Sequence, residues 1–415
     1  MSSSFCRSLL SAALVASAAC ASGTEPQQDS NASPGVAITL PRALTAGEQK
    51  IIGASNELSF SLFRRLNAAQ KDSNIFASSL GASMALGVML NGASGPTYDQ
   101  MRATLGLGAV SESELSTGYQ SLLAILGDLD PVADFRVGSS LWYRSDIPVN
   151  PGFINNSLSA FGAQVSALDF ASPSSAQAIN AWVSATTTGR IATIVDAVDP
   201  TQSMVLANAI YFRGTWRDRF DPTATSDAAF SGVAGAQAAK VMYRVGLMRY
   251  FASHEFEAVD VPFGKGAFTM TVVLPRAGKT IDATVALFQG GGWANLGSQQ
   301  RDVGMNLFLP RFRILWDRNL NDDLAALGMR DAFVRNGADF TRMSPRGREL
   351  YLGAVKQKTL IDVGEDGTIS APTTPLVPST FGFVPLVMYV DRPFVFVIHE
   401  RLSGTIVFMG KVVRM

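Results

Sequence analysis

Cysteine and histidine are almost missing from this sequence. Of 415 residues only Cys6 and Cys20 are cysteine, both near the start, and only His254 and His399 are histidine. That inventory excludes a disulfide framework and a Cys/His metal cluster. An excess of either charge is missing too, since 34 Lys+Arg balance 34 Asp+Glu and only 16% of the chain is charged. A nucleic-acid binder or a polybasic membrane-surface protein needs a one-signed electrostatic footprint, so both classes are excluded. The 47% hydrophobic content excludes intrinsic disorder. A chain of this length can bury about 75% of its unfolded surface in a core. No cofactor is called for: the triplet Gly290, Gly291, Gly292 is not followed by the Lys-Ser/Thr of a phosphate-binding loop.

Residues 1–21 read as an export signal, with Arg7 followed by an apolar run from Leu9 through Ala19 that is too short to span a bilayer. Two processing outcomes stand open. Ala19, Cys20 and Ala21 fit ordinary cleavage after Ala21, while Ser17, Ala18 and Ala19 before Cys20 form a loose bacterial lipoprotein box that would make Cys20 a lipidated first residue. Either way the protein is expected to be secreted or extracytoplasmic, touching a membrane only through such an anchor. Residues 22–48, rich in Ser, Gly, Pro and Gln, read as a flexible tether.

No fixed repeat and no second linker interrupts the remainder, so residues 49–415 read as one domain. Helical spacing covers Ile51 to Asn67, Ala82 to Leu90 and Ala178 to Thr187. Strands are expected at Val205 to Arg213, Phe268 to Leu274 and Asn306 to Leu309, and in a hairpin pairing Phe394 to His399 with Thr405 to Val412. Runs of helices and runs of strands without a βαβ rhythm indicate the α+β class.

One stretch does not pattern as core. From Gly367 to Val390 there is no charged side chain, and Pro372, Pro375, Pro378 and Pro385 fall within it. Those prolines exclude a membrane span or an interior helix. Long structureless loops in a compact domain are most often functional, and this one reads as an extended peptide displayed on a scaffold.

Five segments then resemble the serpins. "VLANAIYFRGTWRDRF" at 205–220 looks like the family's signature strand, with Asn208, Phe212, Gly214, Trp216 and Phe220 in place. "NIFASSLGASMALGVMLNGASGPTYDQM" at 74–101, "INAWVSATTTGRI" at 179–191, "LAALGMRDAF" at 324–333 and "DRPFVFVIHERLSGTIVFMGKVV" at 391–413 follow in the family's order. The resemblance implies a serpin fold of three β-sheets and about nine helices, with an exposed reactive loop near the C-terminus. It further implies a monomer that is not an enzyme but a suicide-type inhibitor. A serine protease is acylated while cutting the loop, which then inserts into the main sheet as a new strand.

Carried over by position, the hinge of that loop is Glu365, Asp366, Gly367 and Thr368, continued by the small residues Ser370 and Ala371. The family's spacing places the reactive bond between Phe381 and Gly382, and a Phe there suits the apolar pocket of a chymotrypsin-like protease. Gly81 and Gln357 stand where many serpins have a Ser and a His that govern opening of the sheet, leaving Asn208 to hold that region with Gln357; Trp216 is expected beneath the hinge. The prolines are a departure. Pro372, Pro375 and Pro378 cannot donate to a ladder, which keeps open a non-inhibitory serpin whose loop is merely cut or used for binding. A secreted hydrolase is disfavoured, because there is no G-x-S-x-G and His399 ends an apolar strand. A polysaccharide site at 98–113 is also disfavoured, since Arg102 is its only basic residue.

Overall fold

A Thr-x-x-Glu capping box opens the first helix of the computed structural model, which describes residues 39–108, 110–130, 132–367 and 386–415. The hydroxyl of Thr45 accepts from the Glu48 N–H, and the Glu48 carboxylate accepts from the Thr45 N–H at 2.7 Å. This starts α1 (Ala46–Ala69) inside the last residues of the segment read as tether 22–48, and Glu48 is buried. The helix and not the tether takes those residues because the box satisfies the orphan donors of the first turn. The other helices are α2 (Ser79–Gly92), α3 (Gly95–Thr104), α4 (Glu112–Asp128), α5 (Pro151–Phe161), α6 (Ser174–Thr186), α7 (Ile281–Ala286), α8 (Gly292–Gln299) and α9 (Asn321–Ala326).

The strands are β1 (Ile75–Ala77), β2 (Asp134–Arg144), β3 (Gln164–Leu168), β4 (Met204–Arg213), β5 (Ser226–Gly232), β6 (Gly235–Ala252), β7 (Phe256–Pro262), β8 (Phe268–Pro275), β9 (Arg301–Pro310), β10 (Phe312–Asn319), β11 (Leu352–Val363), β12 (Leu386–Tyr389), β13 (Phe394–Glu400) and β14 (Ile406–Val412). A five-stranded sheet runs β10-β11-β4-β2-β3, and a nine-stranded one runs β1-β14-β13-β8-β7-β6-β9-β12 with β5 on β6. The long strand β6 explains why three expected sheets form two ladders. It pairs β5 and β9 along most of its length and meets β7 only over Tyr250 to Ala252, so two lobes join at one corner. The expected hairpin is the antiparallel pair β13–β14, buried along both strands.

Strand β4 is buried on both faces, which is why it reads as a continuous apolar run. Val205, Ala207 and Ala209 point to a small core shared with Ile179 and Val183 of α6. Met204, Leu206, Ile210 and Phe212 point to the main core, where α2 is buried at every residue except Asn91. With a side-chain period of two, Asn208 is therefore placed on the main-core face of its strand. One expectation narrows: Leu386 to Tyr389, read as the end of the displayed loop, form an edge strand parallel to β9. Met388 is buried and the Tyr389 ring stacks on Phe308 at 3.9 Å, so backbone pairing and one aromatic contact hold this charge-free piece.

Candidate functional site

The main sheet has a seam between β4 and β11. The two strands run parallel, with Met204 opposite Leu352 at the start of the ladder and Ile210 opposite Thr359 at its end. Both strands continue, to Arg213 and Val363, without further pairing to one another. Their outer edges are taken, β4 by β2 and β11 by β10. Any strand joining this sheet between them can run antiparallel to both, exchanging one parallel pair for two antiparallel ones, which are somewhat more stable per residue. The chain itself leaves β11 through a turn and heads back: Gly364 and Gly367 exchange both backbone hydrogen bonds, at 2.8 and 3.1 Å.

Polar side chains bolt the seam from beneath. Gln357 and Asn208 are register partners, and Gln357 Nε2 donates to Asn208 Oδ1 at 3.2 Å and to the Ser78 carbonyl at 2.8 Å. Gln357 Oε1 accepts from the Ser78 N–H at 3.0 Å, while Asn208 Nδ2 donates to the Gly138 carbonyl at 3.1 Å and to Ser139 Oγ at 3.3 Å. Ser78 caps α2 and its hydroxyl donates to the Val407 carbonyl at 2.7 Å. The side chains of Ser78, Ser139, Asn208 and Gln357 are all buried, so each bond they make removes a desolvation cost of about 1–3 kcal/mol per otherwise orphaned group. Gly81 belongs here by shape: a Cβ at that position would sit 2.0 Å from Ile210 Cδ1 and 2.4 Å from Asn208 Oδ1. Ile210 fills the space into which a Ser at position 81 would project.

Above the seam, the residues expected to form the hinge are clamped to the segment that follows β4. The Trp216 N–H donates to the Asp366 carbonyl at 2.8 Å, the Phe220 N–H to the Glu365 carbonyl at 3.0 Å, and Trp216 Nε1 to the Gly364 carbonyl at 2.8 Å. The buried Trp216 ring stacks on Phe263 with centroids 4.3 Å apart. Gly367 has a φ of 127°, and a Cβ there would lie 2.2 Å from the Gly214 carbonyl oxygen, so only glycine fits against this backbone. Glu365 is 7% exposed and accepts from Arg311 Nε at 2.7 Å and from the Thr225 hydroxyl. Burial pushes its carboxyl up, but the Arg311 and Thr225 hydrogen bonds outweigh that and hold it below the usual carboxylate range. Asp366 pairs with Arg219 at 3.4 Å.

The sequence-predicted residues thus divide. Gly81, Asn208, Gln357, Trp216, Glu365, Asp366 and Gly367 gather along β4 and β11. Thr368, Ser370, Ala371, Phe381, Gly382, the three prolines at 372, 375 and 378, and Cys20 lie outside the described residues. Ser78, Ile210, Arg311, Thr225 and Phe263 were not anticipated. Ser78 had a local signal, standing as an N-cap before an apolar helix, but its bonds to Gln357 span 279 positions. Arg311 and Thr225 carry no local signal.

Neither histidine is set for acyl transfer. His254 is exposed between β6 and β7, whereas His399 is buried on β13 against the edge of Trp293. His399 Nε2 lies 2.9 Å from Thr271 Oγ1, and that hydroxyl donates to Asp260 Oδ1 at 2.6 Å. The acid holds the hydroxyl's proton and does not orient the imidazole, the reverse of what a nucleophilic triad requires. Burial pushes the His399 pKa down, with Asp260 opposing. Among the described residues no group of three or more His, Cys, Asp or Glu side chains is placed to hold a metal, and no helix is long and apolar enough to cross a membrane.

Comparison with known proteins matches this geometry to one family. The serpin (serine protease inhibitor) profile matches residues 53–415. An uncharacterised serpin-like protein of Thermococcus kodakarensis is 29% identical over 385 residues, covering 90% of this chain and 89% of that protein. The leukocyte elastase inhibitor of Sus scrofa is 29% identical over 378 residues, covering 88% and 99%. Among solved structures, the thermophilic serpin tengpin in its native state superposes with a TM-score of 0.83 at 25% identity, covering 90% of this chain and 96% of that one.

Proposed function

Since the chain belongs to the serpin family, we propose that it is a suicide-type inhibitor of an extracellular serine protease, chymotrypsin-like by preference. The protease attacks the bond between Phe381 and Gly382, its serine forms an ester with the Phe381 carbonyl, and Gly382 leaves with the new amine. The cut loop, still joined to β11 through Glu365 to Gly367, then enters the seam as a strand antiparallel to β4 and β11. The observation that carries this reading is the open end of the seam: a parallel pair whose ladder stops at Ile210 and Thr359, beside a glycine hinge feeding straight into it. Relatives named for inhibition of leukocyte elastase support the inhibitor class. The protein works as a secreted monomer, cleaved after Ala21 or lipid-anchored through Cys20.

Mixing the purified chain with chymotrypsin tests the proposal. An SDS-stable complex of one protease and one inhibitor is expected, with release of the segment that begins at Gly382. Cleavage with no complex and an active protease would overturn it. That second outcome belongs to the non-inhibitory reading, which Pro372, Pro375 and Pro378 favour because each removes a ladder donor from the strand to be inserted. Measuring whether loop cleavage raises the thermal stability of the body separates insertion from simple cutting.

A further inference from the structure

Four cations from four separate segments meet at one cavity of about 280 Å³ on the nine-stranded sheet. Arg217 follows β4, Arg249 lies on β6, Lys265 stands in the turn between β7 and β8, and Arg401 stands in the turn between β13 and β14. None neighbours another in sequence, so composition conceals the cluster. Two of the guanidinium groups are fixed by backbone carbonyls: Arg249 donates to Gly297 O at 2.5 Å and Arg401 to Gly266 O at 3.2 Å. Each keeps further N–H donors for other partners.

The lining also holds two carboxylates, Asp260 and Asp302, against the four cations, and Arg217 Nε donates to a third carboxylate beside it, Asp218 Oδ2, at 3.3 Å. Asp260 already accepts from Thr271 Oγ1 and from Gln300 Nε2 at 2.9 Å, and Asp302 is the register partner of Arg249 across β6 and β9. The decisive group is Thr269. The residue lines the cavity and is 0% exposed, and its hydroxyl has no hydrogen-bond partner among the described residues. A buried hydroxyl without a partner costs about 1–3 kcal/mol, a cost that an acceptor in the cavity removes.

We propose that this cavity binds a small oxyanion of the phosphate type, free or as a phosphomonoester. Arg217, Arg249, Lys265 and Arg401 supply charge-assisted donors, and the Thr269 hydroxyl donates to one of the oxygens. Arginine forks match tetrahedral oxyanions in both shape and charge. The volume suits a single small anion and not a polymer chain.

Titration calorimetry on the full chain at constant ionic strength, with inorganic phosphate and phosphoserine as the two probes, tests this. One saturable site per chain is expected for at least one probe, and the tighter of the two identifies free ion or phosphomonoester as the ligand. The exposed pair Lys265→Gln and Arg217→Gln should together weaken binding at least about tenfold, and Thr269→Val several-fold, with thermal unfolding unchanged in the first variant. Lys240→Gln, which lies outside the cavity and pairs with Asp227, should leave it unaltered. No saturable binding of either probe, or binding undiminished in the Lys265/Arg217 double variant, would overturn the proposal.

Discussion

Gln357 and Asn208 face each other across the parallel pair β4–β11, joined by a 3.2 Å hydrogen bond from Gln357 Nε2 to Asn208 Oδ1. The contact closes the seam that a sixth strand would have to open. Because Gln357 also holds both backbone groups of Ser78, the same side chain ties the main sheet to the cap of α2. Replacing Gln357 by Ala leaves several buried groups unpaired and should lower the stability of the native state by about 2–4 kcal/mol. A double-mutant cycle with Asn208→Ala should show a coupling of about 1 kcal/mol in denaturant unfolding. Strictly additive effects would show that the bond across the seam contributes nothing.

Gly367→Ala sets a Cβ against the Gly214 carbonyl and forces a non-glycine residue into a positive φ. The turn that Gly364 and Gly367 close should loosen and pull Asp366 from the Trp216 N–H. Limited proteolysis near residue 367 is expected to run faster than in wild type. Equal cleavage rates would mean that the clamp survives the substitution.

The acid limb of stability is set partly by Glu48 and Glu365. Hydrogen bonding from Arg42 lowers the Glu48 pKa from 4.5 to about 2, against the opposing effect of burial, and Glu365 is also held low. Near pH 4 and below, the unfolded chain then binds more protons than the folded one. Their stabilisation is complete above about pH 4.5 and is lost as pH falls through the folded values, for Glu48 through about 2. Glu48→Gln should flatten this limb of the unfolding profile, and an unchanged slope would refute the assignment.

Lys411 predicts the opposite limb. Burial pulls its pKa down from 10.5 to about 8, with Asp72 opposing, although the ammonium donates to Asn67 Oδ1 and to the carbonyls of Gln70 and Lys71. Above pH 8 the folded state releases this proton before the unfolded state does, so stability should rise between about pH 8 and 10. The rise should vanish in Lys411→Met. Its persistence would place its origin elsewhere.

Pro372→Ala restores an N–H donor to the first part of the strand proposed to insert. If insertion is slowed at this proline, the variant should form more covalent complex per cleaved loop than wild type, read by gel densitometry against chymotrypsin. An unchanged ratio would clear Pro372 of any part in partitioning.

Much of the fold was legible locally. Apolar periodicity located α2, the hairpin β13–β14 and β4, because burial imposes its period directly on the residues. The start of α1 was legible as well, in Thr45 and Glu48, yet composition drew the boundary at residue 48 and missed it. The edge strand β12 was not legible, since its pairing depends on β9, a partner remote in sequence. The members of the seam that came from family spacing lie together, but Ser78, Ile210 and Arg311 join them only through long-range contacts.

The sequence by itself determined a neutral α+β chain of the serpin pattern, with a glycine at position 367 and a charge-free stretch beyond it. Local rules suffice for that, because periodicity, caps and glycine act over a few residues. Only the tertiary structure decided that Gln357 meets Asn208, that Ile210 packs over Gly81, and that Arg217, Arg249, Lys265 and Arg401 line one cavity. Each of those relations joins residues on different elements of the fold, and long-range packing and strand pairing, which no local sequence rule encodes, bring them together.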